Sequence, residues 1–354
     1  MTDIESKVRD VLARRVQGPV EVERLRTNAV RRATTIRRRR AAAGAVAAIV
    51  AVAGVVGVVG RPGAPRPETS LPLATTAVSE GVGTDPALLH FDLDPSVFDD
   101  RAASIEWISG IGYEAAHVYE NDEDNRRWVD VGLAPTDSAR TTRLDAQLAS
   151  PLTDAGRKLL VAGRPGLLQQ VTYLGNPAWL LRWQPAPAVF GSVVVTGEDE
   201  QLAARVARAV LLGRVQRCVM PLRLTELPAG ARWQECQTRV SVASPGWVYS
   251  GLVIDRSDGK PIFIWADGRR GADHAASFKA DQTIGGYPAQ WLTGGSSGTG
   301  LWIPGFGSID LFITAVNAND SAWLHQDEAR WLAERLQPSQ NTDDPASWPQ
   351  RAVG

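Results

Sequence analysis

Hydrophobic and polar positions change period several times along this chain. Ile4, Val8, Val11 and Leu12, continued by Val16, recur at helical spacing and place one apolar stripe on a short helix that Gly18-Pro19 ends. A second helical stretch starts near Val20 and carries Val22, Leu25 and Val30. Ala41 to Gly60 then gives 20 positions without a charged or strongly polar side chain. At the helical rise this run matches a hydrocarbon core about 30 Å thick, which predicts a transmembrane helix over 41–60. From 61 to 86, Pro62, Pro65, Pro67, Pro72 and Pro86 among Ser, Thr and Gly predict an extended stalk.

Beyond residue 86 the period falls to two. Glu114 to Tyr119 and Trp128 to Leu133 flank an acidic turn, while Trp247 to Ile254 and Pro261 to Trp265 flank Asp258-Gly259. Both pairs read as hairpins. Four further elements recur in one order. Val161-Ala162-Gly163-Arg164-Pro165-Gly166, Leu181 to Pro185, Phe190 to Thr196 and the helical Arg205 to Val210 form the first set. Ile284-Gly285-Gly286-Tyr287-Pro288-Ala289, Gly300 to Pro304, Phe306 to Thr314 and the helical Trp331 to Leu336 form the second. The expected class is α+β: a single transmembrane helix plus a tandem-duplicated ectodomain, each copy an antiparallel sheet packed on one helix. The expected parts are a basic cytoplasmic arm (1–40), the span (41–60), the stalk (61–86), ectodomain copies at 87–213 and 214–337, and a disordered tail (338–354) containing Pro345 and Pro349.

Charge sharpens this layout. The formal total is −1, yet residues 1–40 hold twelve basic and five acidic side chains, a net +7, leaving −8 for the rest. Arg37, Arg38, Arg39 and Arg40 abut the apolar run, so the positive-inside rule keeps the N-terminus cytoplasmic. The long basic arm, the length of the run and the lack of an A-x-A site argue against a cleaved signal peptide. Membrane lipid is thus an expected partner, with the arginines solvated among headgroups, and no specific nucleic acid is expected. Two short amphipathic helices cannot bury their stripes unaided, which implies a partner for Ile4, Val8, Val11 and Leu12. Ala43, Ala47 and Ala51, with Ala53 and Gly57, permit close helix contact and a homodimer through the span.

The helix pair, the Arg run and the Ala/Val-rich span together resemble the single-pass membrane companions of extracytoplasmic-function sigma factors in actinobacteria, anti-sigma factors among them. The zinc-type signature needs His and paired Cys in the cytoplasmic part. None precedes residue 61, so the resemblance is to members without the zinc motif. The order of G-x-P strand, Trp-containing strand, apolar strand and closing helix is similar to extracytoplasmic domains of bacterial anti-sigma factors. What the resemblance implies is a regulator with a sigma factor as its cytoplasmic partner.

Chemistry-bearing residues are few. Cys218 and Cys236 fall outside the membrane on this topology and read as a disulfide. All 12 Trp lie beyond residue 100 and suit a sheet–helix core, with sugar stacking the competing use of any exposed cluster. Gly294 to Gly300 lacks the Lys-Ser/Thr ending of a phosphate loop and reads as a hairpin loop. Glu120 to Asn125 lacks the Gly and distal Glu of an EF-hand and reads as a solvated turn. His90, His117, His274 and His325 stand in no ligand spacing. The expectation is therefore a non-enzymatic membrane regulator, without catalytic residues, cofactor or metal, that couples an envelope signal to a cytoplasmic protein. The alternative is an envelope interaction module that binds a lipid, glycan or protein outside, its arm serving topology alone.

Overall fold

The computed structural model describes residues 71, 81–98, 102–120, 128–242, 247–268, 278–293, 299–315, 324–342 and 344–354. The chain divides into two units, 1–65 and 66–354, and all of these residues belong to the second. The stripe residues Ile4, Val8, Val11 and Leu12, the Arg37 to Arg40 run and the 41–60 segment with its small residues lie outside the described residues. No described helix is long and apolar enough to cross a membrane.

The first half of the unit runs β1 (Leu88–Leu93), β2 (Ala102–Gly110), β3 (Tyr113–Glu120), β4 (Trp128–Ala134), α1 (Asp137–Asp145), β5 (Arg157–Val161), β6 (Arg164–Tyr173), β7 (Asn176–Ala186), β8 (Val189–Thr196), α2 (Glu200–Ala209) and β9 (Val210–Arg217). The second runs β10 (Leu222–Leu224), β11 (Arg232–Ser241), β12 (Trp247–Asp255), β13 (Pro261–Asp267), β14 (Gln282–Ile284), β15 (Tyr287–Leu292), β16 (Thr299–Phe306), β17 (Ile309–Ala315), α3 (Gln326–Glu334) and β18 (Leu336–Pro338). Fourteen of these strands form one antiparallel sheet in the order β14-β15-β16-β17-β13-β12-β11-β2-β3-β4-β8-β7-β6-β5. With three α-helices against it, the class is α+β.

From the central β11–β2 pair outward the two sides follow one order. β2-β3-β4-β8-β7-β6-β5 leads one way and β11-β12-β13-β17-β16-β15-β14 the other. Apart from this sheet, β1 pairs with β9 and β10 with β18, so each half's first strand meets the strand after its last helix. Two tight turns lie at the same place in this strand order. Ala162-Gly163 and Gly285-Gly286 each join two strands with both φ angles positive, at 47° and 79° and at 57° and 86°. Such turns carry the twist of the strands they link.

Other sequence matches shift. Phe306-Gly307-Ser308-Ile309 is the hairpin turn between β16 and β17, whereas Phe190-Gly191-Ser192 lies inside β8, past the corresponding turn at Ala186–Val189. A strand of period two tolerates this slip without losing its apolar pattern. Val210 and Leu336, expected to end helices, instead open β9 and β18, and β9 carries the first half beyond residue 213. Helix α1 was not expected at all. Its apolar content is low, and it is held by its cap, where Thr136 accepts from the Ala139 amide at 3.1 Å, and by buried Leu144.

One face of the sheet carries the main cores. Asp199 caps α2 by accepting from the Leu202 amide at 3.0 Å. Leu202, Ala203, Val206 and Ala207, at i, i+1, i+4 and i+5, then pack toward Ile105, Trp107 and Val131. Ala329, Leu332 and Ala333 of α3 serve the second half against Leu252, Ile264 and Ile313.

The tail is a correction to the sequence reading. Residues 338–342 and 344–354 are packed, not disordered: Trp348 is buried edge-to-face on Trp247 at 5.1 Å, and the Trp247 indole donates to the Thr342 carbonyl at 2.7 Å. The Gly354 amide donates to the Leu224 carbonyl at 3.1 Å. Polar composition concealed two apolar anchors, Trp348 and Ala352, whose burial holds the segment.

Candidate binding groove on the open face of the sheet

Alternation sends Ile105 and Trp107 to the helix-packed face and Glu106, between them, to the other. Strand register then lines up one polar row across the middle of that second face. Tyr249 lies opposite Arg239, Arg239 opposite Glu106, Glu106 opposite His117, and His117 opposite Asp130. The row crosses the β2–β11 junction, so its contacts join the two halves.

Glu106 is clamped there by two hydroxyls. Tyr119 donates to it at 2.7 Å and Tyr249 at 2.5 Å. Burial first, then the Glu106 charge, pushes both phenols up, and they stay protonated donors. The Arg239 guanidinium stacks 3.8 Å above the Tyr119 ring and donates to Ser104 at 2.8 Å. A carboxylate, two phenols and a guanidinium thus satisfy one another.

Asp130 centres a second group. It contacts His117 Nδ1 and the Tyr173 hydroxyl, which also meets Gln147. Arg143 of α1 lies 3.3 Å from His117 Nε2. Arginine only donates, so Nε2 accepts and Nδ1 carries the proton given to Asp130. Burial by itself would raise Asp130, but His117, Tyr173 and Arg143 outweigh it and hold the carboxyl below its usual range. Both ring nitrogens of His117 are engaged within the protein, so the group is a structural knot that anchors α1.

Glu235 is the odd member. It is buried on the same face, next to Gln237. Burial pushes its carboxyl up to about 7, against the hydrogen bond from Gln237 and with the Glu106 and Asp255 charges adding to the rise. The folded state therefore holds this proton more tightly than the unfolded chain does, and the stability it contributes at low pH is lost as pH rises through about 7. Glu235→Gln is expected to remove that dependence and to be the more stable form above neutrality by roughly 2–3 kcal/mol. Urea midpoints measured from about pH 5 to pH 8 check this, and parallel curves for the two proteins refute it.

Toward the β5 edge the same face opens into a cavity of about 650 Å³. Arg140 of α1, Arg182 of β7 and Lys158 of β5 line it together with Leu160, Leu167 and Phe190. Arg140 is buried, donates to the Gly191 carbonyl at 3.2 Å, pairs with Asp137 and lies 5.8 Å from the Phe190 ring. Arg182 is fixed by the Thr153 carbonyl and by Gln169 at 3.0 Å. The Nε atoms of both arginines are buried without a partner. The result is an apolar trough with two oriented guanidinium groups, suited to holding a carboxylate beside an apolar side chain.

Cys218 and Cys236 are joined. The bond links the end of the first half to β11, and both sulfurs are buried. Replacing both with serine is expected to cost about 3 kcal/mol in the chain-entropy account of an 18-residue separation. The urea midpoint reads the loss, and dithiothreitol treatment of the wild type should reproduce it. His90 pairs with buried Glu114 at 2.6 Å, and His325 stands at the N-terminus of α3. His274, residues 121–127 and residues 294–298 lie outside the described residues, so the acidic turn and glycine loop do too. Among the described residues no group of three or more His, Cys, Asp or Glu is placed to hold a metal ion. None of the described Trp is exposed. Trp265 covers Gly251 and stacks on Phe263 at 6.0 Å, while Trp302 stacks on Phe312 at 5.6 Å.

Sheet, knot and groove together define an α+β protein with a cation-lined apolar trough at one end of a long antiparallel sheet. No known protein family matches the chain, and no curated protein matches it. Among solved structures, the crystal structure of MucB in complex with MucA(peri) is similar at 12% identity and a TM-score of 0.21, over 69% of this chain and 96% of that one. The complex structure of Pseudomonas aeruginosa MucA/MucB is similar at 12% identity and a TM-score of 0.22, over 68% and 95%. Likeness at these scores carries no inference about fold or partner.

Proposed function

We propose that this chain is a non-enzymatic single-pass membrane regulator that couples an envelope signal to a cytoplasmic protein, in the manner of an anti-sigma factor. The observation that carries the reading is the buried Cys218–Cys236 disulfide. A bond of this kind persists in an oxidising compartment, whereas the +7 arm ahead of an uncharged 20-residue run is retained on the cytoplasmic side. One chain with both features bridges two compartments. The halves of the sheet are read as copies of one ancestral unit, since their strands follow the same order outward from the centre.

A phosphatase reporter fused after Gly354 is expected to be active outside the cytoplasm. The full-length chain should retain the sigma factor encoded beside its gene, and Leu12→Asp should lose it. A reporter active only in the cytosol removes the topology, and no retained sigma factor removes the partner. The groove at the β5 edge favours a second reading, an envelope binding module whose arm only orients insertion. Deleting residues 1–30 while keeping Arg37 to Arg40 separates the two, because an unchanged phenotype supports the module.

A further inference from the structure

Among the described residues β5 is the last strand of the sheet at this end, with β6 on one side and no described strand on the other. Its register fixes which backbone groups are free. Val161 and Arg164 flank the two-residue turn, and in such a hairpin the flanking pair exchanges both hydrogen bonds. Leu159 and Arg157 follow in the same phase. The N–H and C=O groups of Lys158 and Leu160 therefore point outward along the open edge. Lys158 and Leu160 line the groove together with the half-buried Leu159, which also packs on the apolar core beside buried Val161. Leu160 is 65% exposed, the most exposed large hydrophobic residue described. The opposite edge, β14, offers only three residues.

Charge selects the occupant. β5 and its turn carry Arg157, Lys158 and Arg164 and no carboxylate; Arg157 pairs with Glu200 of α2 at 3.1 Å, which leaves Lys158 and Arg164 to set the charge of the edge. Inside the groove, Arg140, Lys158 and Arg182 meet only Asp137, already paired to Arg140, and the exposed Asp154, 3.9 Å from Arg182. The exposed Lys158 adds a further positive charge at the mouth of the trough, where Arg140, Lys158 and Arg182 outnumber Asp137 and Asp154. Like charge on this edge disfavours pairing with a second copy of itself, while the same cations beside exposed Leu160 and a cavity admit a strand of opposite charge.

We propose that the β5 edge and this groove take up an extended acidic peptide segment of a partner protein as a further strand, its carboxylates reaching Arg140 and Arg182 and an apolar side chain covering Leu160. Main-chain bonds to Lys158 and Leu160 supply affinity, and the groove selects alternate side chains. This names a partner class for the outer domain proposed above. The peptide assay reads the groove and the reporter fusion reads topology, so either can fail alone.

The test uses the purified full-length chain in detergent and a fluorescent peptide of about eight residues alternating valine and glutamate, the length that spans such an edge. Anisotropy should show saturable binding of this peptide and none of its lysine-for-glutamate counterpart. Leu160→Pro removes one outward N–H without touching a β5–β6 bond and should weaken binding about tenfold or more. Lys158→Glu should do the same through charge. Methylating alternate peptide amides should abolish binding in one register and spare it in the other, which tests strand pairing even if Leu160→Pro fails to fold. Equal binding of both peptides, or binding that survives in both methylated registers, overturns the proposal. So does a dimer that Leu160→Pro dissociates while the peptide fails to bind, since the edge would then belong to a second copy.

Discussion

Trp107→Ala should be the most damaging single substitution in the folded unit, lowering its stability by roughly 3–5 kcal/mol. Trp107 is fully buried on β2, opposite Ala116 of β3 and Thr238 of β11, with Phe91 edge-on at 5.6 Å. It therefore touches the first-half core, the β1–β9 ribbon and the central pair of strands together. Small neighbours on both sides cannot swell into the space left by an indole, so the cavity remains. Trp107→Phe separates the causes. The indole N–H is buried with no acceptor, and a phenyl ring drops that unsatisfied donor while keeping most of the contact area. Its cost should be well under half that of alanine. Urea denaturation with an unchanged slope reads both values, and equal losses for the two variants would show that ring volume is not what holds the junction.

Local chemistry made the hairpins legible in the sequence. Asp258-Gly259 sits between two apolar runs, and Gly259 takes the positive φ, 75°, that the turn requires. Ala162-Gly163 and Gly285-Gly286 are each legible as a turn because a two-residue turn fixes its own register. The junction was not legible. Glu106 and Arg239 lie 133 positions apart and become neighbours only through the β2–β11 pairing, and period-two alternation specifies a face without naming a partner. The out-of-register Phe-Gly-Ser match shares that cause. Val210 and Leu336 were read as helix because an apolar residue continues either pattern, and pairing with β1 and β10 decided for strand.

The groove follows the same logic. Glu106 and Asp130 each stand between apolar residues, Ile105 and Trp107 in one case and Val129 and Val131 in the other. From sequence that is the mark of a solvent-facing position. Only the strand order shows that such positions form a row, and only the unexpected α1 covers it, bringing Arg140 and Arg143 down onto the sheet. The signal that existed was small: Thr136-Asp137-Ser138 is a capping sequence, and it precedes Arg140, Arg143 and Leu144 at helical spacing. The edge strand left no such trace, since Arg157 to Val161 resembles any half-buried strand.

Asp130→Ala tests whether the knot beneath α1 is held by charge. Removing the carboxylate takes the acceptor from His117 Nδ1 and one of two from the Tyr173 hydroxyl, and removes the negative charge that faces the Arg143 guanidinium. Breaking a buried ionic group in this way costs about 3–5 kcal/mol, mostly through the desolvated partners left behind. Asp130→Asn keeps the shape and one acceptor, so at neutral pH it should fall between the wild type and the alanine variant. Acid then distinguishes charge from shape. The Asp130 carboxyl is held below its ordinary 3.8, so on acidification the unfolded chain takes up the proton first. Its contribution is present above that value and is lost as pH falls through the depressed one. The gap between wild type and Asp130→Asn should therefore close below about pH 4, a window separate from the rise that governs Glu235. If the gap stays constant down to about pH 2, Asp130 is not ionised in the fold, and α1 is held over the groove by its cap, the Arg140 bond to Gly191 and packing on Leu144.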